Sequence, residues 1–265
     1  MLVHIWHYKH NRQLHQVAVR SMLSVGSSAI AKSSILETIK RSYHRRISLN
    51  LLDSLDQPFR DALISMYRLE PQLGDGDQMY EMENSGTKIS PKQGMWLYDL
   101  CRKVKPQATL EVGLAYGFSM LFFLAALKKN GHGQHATIDP FPWHGMAYAK
   151  ARHVGMPLEV INELSERAGV DLARAERKFD VIFIDGNHRF DNVLCDFTLF
   201  AKVCNMNGYI VLDDMWMTSV RAACSFIRNN RSDFSGVSTP IRNIGVFNKI
   251  GEDKRSWDHF NSFSA

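Results

Sequence analysis

Acidic residues in this chain recur in four short contexts, each at the end of an apolar run: Glu111 in TLEVGLAYGFS, Asp139 in TIDPF, Asp185 in FIDGNH and Asp213–Asp214 in IVLDDMW. The first lies beside two glycines, Gly113 and Gly117, spaced G-x-x-x-G. A dinucleotide corner instead needs G-x-G-x-x-G to receive a pyrophosphate, and a carboxylate at Glu111 would repel phosphates. It suits a ligand with a cationic amine or sulfonium, although the glycines could equally serve only a tight strand-to-helix turn. Asp139, 26 residues past Gly113, is placed as a ribose-hydroxyl acceptor after a strand–helix–strand unit; a loop cap is the alternative. Asp185, Asp213 and Asp214 on neighbouring strand ends would repel one another unless a cation joins them. A hard divalent ion, Mg²⁺ or Mn²⁺, answers that. The other reading has Asp213 alone face the cofactor while Asp214 caps the helix beginning near Trp216.

These residues need a frame that brings four strand ends to one rim. The pattern predicts strands at 108–113, 135–139, 158–162, 179–184 and 208–212, alternating with helices at 118–129, 145–154, 166–175, 189–204 and 216–230. Such alternation specifies a parallel sheet with helices on both faces, and ligands of such sheets bind at the carboxyl ends of the strands. Upstream, Ser90 as cap and Pro91 at the first helical position start a further helix. Residues 47–70 read as helix broken at Pro58, followed by a loop rich in Gly, Asp and Asn. Residues 234–250 offer two extended runs for an antiparallel edge. The fold expectation is therefore α/β, a Rossmann-like doubly wound and mostly parallel sheet with an N-terminal helical extension. Its divisions are a basic leader at 1–46, a helical extension and loop at 47–85, the main domain at 86–250 and a tail at 251–265.

Charge separates the leader from the rest. Residues 1–50 hold eight Lys/Arg against one acid, Glu37, within a chain of formal net charge +5, so the remainder is slightly acidic. That argues against a basic groove for nucleic acid over the main domain. The leader, with His4, His7, His10, His15 and His44, is expected to be poorly ordered or a loosely docked helix, with contact to a membrane surface or a partner as the alternative. No run reaches the roughly 18–20 apolar residues of a membrane span. Cys101, Cys195, Cys204 and Cys224 form no C-x-x-C pair and are expected as reduced thiols of a cytoplasmic protein.

SPKQGMWLYDLCRKVKPQATLEVGLAYGFSMLFFLAAL, TIDPF, FDVIFIDGNHRF and NGYIVLDDMW together resemble the class I S-adenosylmethionine-dependent methyltransferases. Among them the resemblance is to the cation-dependent small-molecule O-methyltransferases of the catechol, caffeoyl-CoA and macrolide-sugar types, and it covers about residues 86–250. It implies Glu111, Gly113, Ala115 and Ser119 around the methionine part of S-adenosylmethionine, Asp139 at the ribose, Ser165 near the adenine, and Asp185 at both amine and metal. The metal set it implies is Asp185, Asp213 and Asp214. His188 stands where catechol-type enzymes keep a lysine base, a departure that leaves the base open.

The resemblance implies in-line methyl transfer to a hydroxyl of a small phenol or sugar, with His188 and Asp185 as catalytic residues. Two alternatives remain, a metal-independent methyltransferase and a cofactor-binding module without chemistry. Trp143, His144, Met146, Trp216 and Met217 flank the rim as an acceptor pocket or as plain packing. The exposed sheet edge and the N-terminal helices would admit a homodimer, but no residue pattern sets the oligomeric state.

Overall fold

A computed structural model describes residues 49–82 and 88–264, apart from the side chain of His144. The expectations for the basic leader at 1–46, and for residues 83–87 of the following loop, lie outside the described residues. A short 3-10 turn at Leu51–Ser54 leads into α1, Gln57–Tyr67. Pro58 lies in the first turn of α1, where its missing N–H costs no helical bond. The expected break at Pro58 is therefore the start of a helix. The loop after it contains a small antiparallel hairpin, β1 (Gln72–Leu73) and β2 (Met79–Tyr80), where the residue pattern predicts loop alone.

The main domain follows as α2 (Pro91–Val104), β3 (Ala108–Val112), α3 (Phe118–Asn130), β4 (Gln134–Ile138), α4 (Met146–His153) and β5 (Glu159–Ile161). Then come α5 (Ser165–Arg174), β6 (Phe179–Ile184), α6 (Phe190–Val203), β7 (Cys204–Leu212), α7 (Thr218–Asn230), β8 (Phe234–Gly236) and β9 (Gly245–Lys249). Ser90 caps α2 as expected, its Oγ accepting from Gln93 N at 3.2 Å. The sheet runs β5-β4-β3-β6-β7-β9-β8, parallel except at β9, which is antiparallel to both β7 and β8. The chain leaves β3 for β4 on one side and returns with β6 on the other, so the switch point lies between β3 and β6.

Alternation along the strands builds two apolar layers. Val181, Phe183 and Val211 join the layer of α1–α4, while Leu110, Val112, Ile182, Ile184, Ile210 and Leu212 join that of α5–α7. Helix α3 is buried on every side from Phe118 to Leu127, between the sheet and helices α1 and α2. That explains why its sequence is apolar all round rather than amphipathic. Fully burying Phe122 or Phe123 stabilises the fold by roughly 1.5–3 kcal/mol each.

The C-terminal tail lies back on α6 and α7. Asn230 Nδ2 donates to Asn261 O at 2.9 Å, Asn261 N donates to Asn230 Oδ1 at 2.6 Å, and the Phe263 ring is 5.4 Å from that of Phe226. The four cysteines are free thiols, three of them buried. Among the described residues no helix is long and apolar enough to cross a membrane.

Candidate active site

Strand register sets the site. Ile138, Val112, Ile184 and Leu212 stand in one row across β4, β3, β6 and β7. The next residue on each strand is Asp139, Gly113, Asp185 and Asp213, and the ladder continues through them: Gly113 N donates to Ile138 O, Asp185 N to Val112 O and Asp213 N to Ile184 O, at 2.9–3.0 Å. Three carboxylates and one glycine thus occupy a single row at the carboxyl ends of four parallel strands. Gly113 must be glycine twice over. Its φ is +92°, and a Cβ there would lie 2.2 Å from the Asp185 carbonyl oxygen.

The corner itself is held by acids. Asp139 Oδ2 accepts from Leu114 N and Ala115 N at 2.9 and 3.0 Å, and Oδ1 accepts from Phe141 N at 2.7 Å. Those bonds keep Ala115 in the left-handed region at φ 43° and occupy three of a carboxylate's roughly four acceptor sites. Asp139 is therefore a loop cap with capacity for one further donor. Gly117, at φ 82°, starts α3 without a side-chain cap.

Glu111 is fully buried on β3. Its Oε2 accepts from Ser119 Oγ at 2.6 Å, and its Oε1 lies 3.2 Å from His135 Nε2. His135 in turn meets Thr109 Oγ1 through Nδ1 at 2.8 Å and stacks on Phe123. This chain from Thr109 to Ser119 was not anticipated from the sequence, where His135 is one histidine in a short strand.

On the other side of the switch point, His188 Nε2 lies 2.9 Å from Asp214 Oδ2 and 3.4 Å from Asp185 Oδ1, in neither case with hydrogen-bond geometry. Among the described residues, Asp185, His188 and Asp214 are those whose ligand atoms gather within 4.8 Å of one another. Asp213, expected in that set, is outside it. Its Oδ1 accepts from Asp214 N at 2.6 Å and from Asn243 Nδ2 at 2.9 Å, and His188 takes the third place. Nor does Asp214 cap α7, whose start has no side-chain cap. Its Oδ1 accepts from Trp216 Nε1 at 2.9 Å and from Asn243 Nδ2 at 3.2 Å. Ser219 Oγ donates to the His188 carbonyl at 2.6 Å and so fixes the loop that carries the imidazole.

The electrostatics follow from this crowding. Burial raises the pKa of Asp185, with His188 opposing the rise, and burial together with the Asp185 charge raises that of Asp213. Burial also works against ionisation of Asp214, but His188 and Asn243 outweigh it and leave the pKa below the usual carboxylate value. Burial alone would lower His188; the two carboxylates reverse this and push it up to about 10.

The remaining expected residues are more dispersed. Ser165 opens α5, its Oγ donating to Glu166 Oε2 at 3.4 Å. Of the acceptor-pocket residues, Trp143 packs against Tyr116 with ring centroids 5.1 Å apart, Met146 is buried in the core, and Trp216, 65% exposed, stands over Asp214. Met217 is half-buried ahead of α7.

The family model described as a methyltransferase domain matches residues 110–215, from the middle of β3 to the turn after β7. The match is confined to that segment, which holds the strand ends described above. The fold of the chain is similar to that of the SAH-bound Podospora anserina methyltransferase PaMTH1, at 14% identity and TM-score 0.60, covering 87% of this chain and 99% of that one. It is also similar to an O-methyltransferase from Bacillus cereus solved with SAH, at 17% identity and TM-score 0.59 over 77% and 97% of the two chains. A third likeness is to the O-methyltransferase TomG of Streptomyces achromogenes, involved in tomaymycin synthesis and solved with SAM (17%, 0.55, 78% and 96%). At such identities the likeness is one of fold. A stretch of 35 residues is 51% identical to an uncharacterised protein of Acanthamoeba polyphaga mimivirus, and it spans 13% of this chain and 16% of that relative's length. Within the matched segment, Asp139, Gly113, Asp185 and Asp213 form the row described above, and Asn243, from beyond it, bonds to Asp213.

Proposed function

We propose that the methyltransferase domain transfers the methyl group of S-adenosylmethionine to a hydroxyl of a small molecule, with a divalent cation held by Asp185 and Asp214. The observation that carries this reading is the convergence of Asp185, His188 and Asp214 within 4.8 Å beside the Gly113 corner. The donor set fits such an ion. Two carboxylates face the His188 imidazole, whose Nε2 can serve as a third donor once it has lost its proton, and an O,O,N set suits Mn²⁺ at least as well as Mg²⁺. When bound, the ion would supply positive charge that lowers the pKa of an acceptor hydroxyl.

The corner fits a cationic methyl donor for separate reasons. Asp139 retains one acceptor position for a ribose hydroxyl, and Glu111, Asp185 and Asp213 make the rim negative. The first turn of α3 has N–H groups with no side-chain acceptor at its cap, which suits a carboxylate. Methyl transfer then depends chiefly on positioning. His188, with its pKa at about 10, holds a proton at neutral pH between Asp185 and Asp214. It can accept one from a hydroxyl only when those charges are otherwise met. The fold similarity to O-methyltransferases solved with SAM or SAH supports the cofactor and the class of reaction. The reading keeps a phenol or sugar hydroxyl as acceptor, a cytoplasmic setting and a homodimer as its further expectations.

A second reading has a specific observation in its favour. The His188 imidazolium can itself serve as the cation between the two carboxylates, leaving transfer independent of metal. The experiment measures methyl transfer from S-adenosylmethionine across a panel of phenols and sugars, with and without EDTA, in the wild type and in Asp214→Asn. The first reading expects loss of turnover by at least a hundredfold in both cases with S-adenosylhomocysteine binding retained. Turnover indifferent to EDTA selects the second reading, and tight NAD binding in place of S-adenosylhomocysteine overturns both.

A further inference from the structure

Four consecutive residues after β7, Asp213 to Trp216, are bonded to one residue about thirty positions later. Asn243 Nδ2 donates to Asp213 Oδ1 at 2.9 Å and to Asp214 Oδ1 at 3.2 Å. Its backbone carbonyl accepts from Met215 N at 2.9 Å, and its side-chain oxygen accepts from Trp216 N at 3.4 Å. The loop carrying Asn243 is anchored on both sides by Ile241 and Ile244, which are buried in the α1–α4 layer.

We propose that Asn243 is a positioning residue that holds the Asp213–Trp216 turn so that Asp214 presents Oδ2 to His188 and to a bound cation. The inference rests on the reading of the site given above. Asp214 is in the left-handed region, at φ 62°, a conformation that a non-glycine residue keeps only when its surroundings hold it there. Two donors, Asn243 Nδ2 and Trp216 Nε1, meet the same oxygen, Oδ1. The carboxylate is thereby fixed about its last torsion, and Oδ2 is left to face His188 at 2.9 Å. The residue type matters as well. An amide offers two N–H groups, one for each carboxylate, and adds no charge to a rim that already carries five acids. Leucine keeps the bulk and loses the donors, while serine keeps a single donor on a shorter arm.

The test compares full-length wild type, Asn243→Leu and Asn243→Ser. Calorimetry reads S-adenosylhomocysteine affinity, electron paramagnetic resonance reads Mn²⁺ binding, kinetics separate kcat from KM, and thermal unfolding confirms that each variant folds. For Asn243→Leu we expect S-adenosylhomocysteine affinity within about threefold of wild type, Mn²⁺ affinity lower by at least tenfold, and kcat lower by at least a hundredfold at unchanged KM for S-adenosylmethionine. The serine variant falls between, and serves alone if the leucine variant does not fold. A crystal structure of the folded variant reads the positioning without any chemistry. Asp214 should turn away from His188, and an Asp214–His188 contact kept as in the wild type overturns the proposal, as does wild-type Mn²⁺ affinity in Asn243→Leu. If the wild type binds no Mn²⁺ and transfers no methyl group while the variant shows the displaced Asp214, the functional reading fails and the positioning role stands.

Discussion

His188 Nε2 lies 2.9 Å from Asp214 Oδ2 although the two residues leave different strands. The register of β6 on β7 pairs Ile184 with Leu212, so the loops that follow emerge side by side at the spacing of neighbouring strands, about 4.8 Å. One imidazole therefore stands between two carboxylates, Asp185 and Asp214, and its charge offsets theirs.

A divalent ion offered to this cluster should stabilise the fold by mass action. At a hundred times its dissociation constant, Mn²⁺ should add about 2.7 kcal/mol, a rise of several degrees in unfolding temperature for a domain of this size. Differential scanning fluorimetry with and without MnCl₂ reads it. Asp214→Asn should abolish the rise while leaving the shift caused by S-adenosylhomocysteine. An equal Mn²⁺ shift in that variant would put the ion elsewhere.

Asp139 has two duties, since it ties Leu114, Ala115 and Phe141 through three backbone N–H groups and keeps one acceptor position at the rim. Asp139→Ala should cost roughly 1–3 kcal/mol of stability, because the N–H groups lose charge-assisted bonds. S-adenosylhomocysteine affinity should fall by a similar amount or more. Denaturant unfolding and calorimetry check the two quantities separately; unchanged affinity alongside lost stability would leave Asp139 as a loop cap alone.

The pair Glu111–His135 has no exposure on either side chain. Removing His135 leaves Glu111 Oε1 buried without that partner, at a cost of about 1–3 kcal/mol. His135→Leu should show that loss in urea unfolding, whereas replacing Thr109 by Val, at the far end of the same chain, should cost only about 1 kcal/mol. A neutral His135→Leu would mean that Ser119 alone suffices for Glu111.

Much of this frame was legible in the residues, and the reasons are physical. FDVIFI is buried on both faces, so its apolar run fixed β6 at Phe179–Ile184 to the residue. Strand β7, expected at 208–212, begins at Cys204, since the polar stretch CNMNG gives no strand pattern and pairs with β6 through an irregular register. Pro58 reads equally as a helix break and as a helix start; only packing of α1 decides. At the site, spacing from the strands placed Glu111, Asp139, Asp185 and the Asp213–Asp214 pair at one rim. It could not tell which aspartate turns toward His188, because that depends on Asn243, whose position in a polar turn has no periodic relation to β7. His135 was hidden for a related reason, since its partner Glu111 is 24 residues away on the neighbouring strand.

Away from the site, Asp196 on α6 carries a stability change that pH should reveal. Among the described residues its Oδ2 is buried without a hydrogen-bond partner, and burial, helped by the Glu166 charge and opposed by the Ser165 hydroxyl, pushes its pKa up to about 6 from an ordinary 3.8. The sign is the reverse of the usual salt-bridged carboxylate. Between about pH 4 and pH 6 the native state holds a proton that the unfolded chain has released, so this group makes stability fall as pH rises through that window. Above pH 6 the cost is fully developed, on the order of 1–3 kcal/mol. Asp196→Asn keeps the shape without the charge. It should be close to neutral at pH 4 and should stabilise the protein at pH 7.5 by that amount, with the gain appearing across the same window. Urea unfolding at pH 4, 5, 6 and 7.5 gives the profile. A gain that is constant with pH would mean that the amide simply packs better, and a loss at pH 7.5 would mean that the ionised carboxylate has a partner that the asparagine cannot keep.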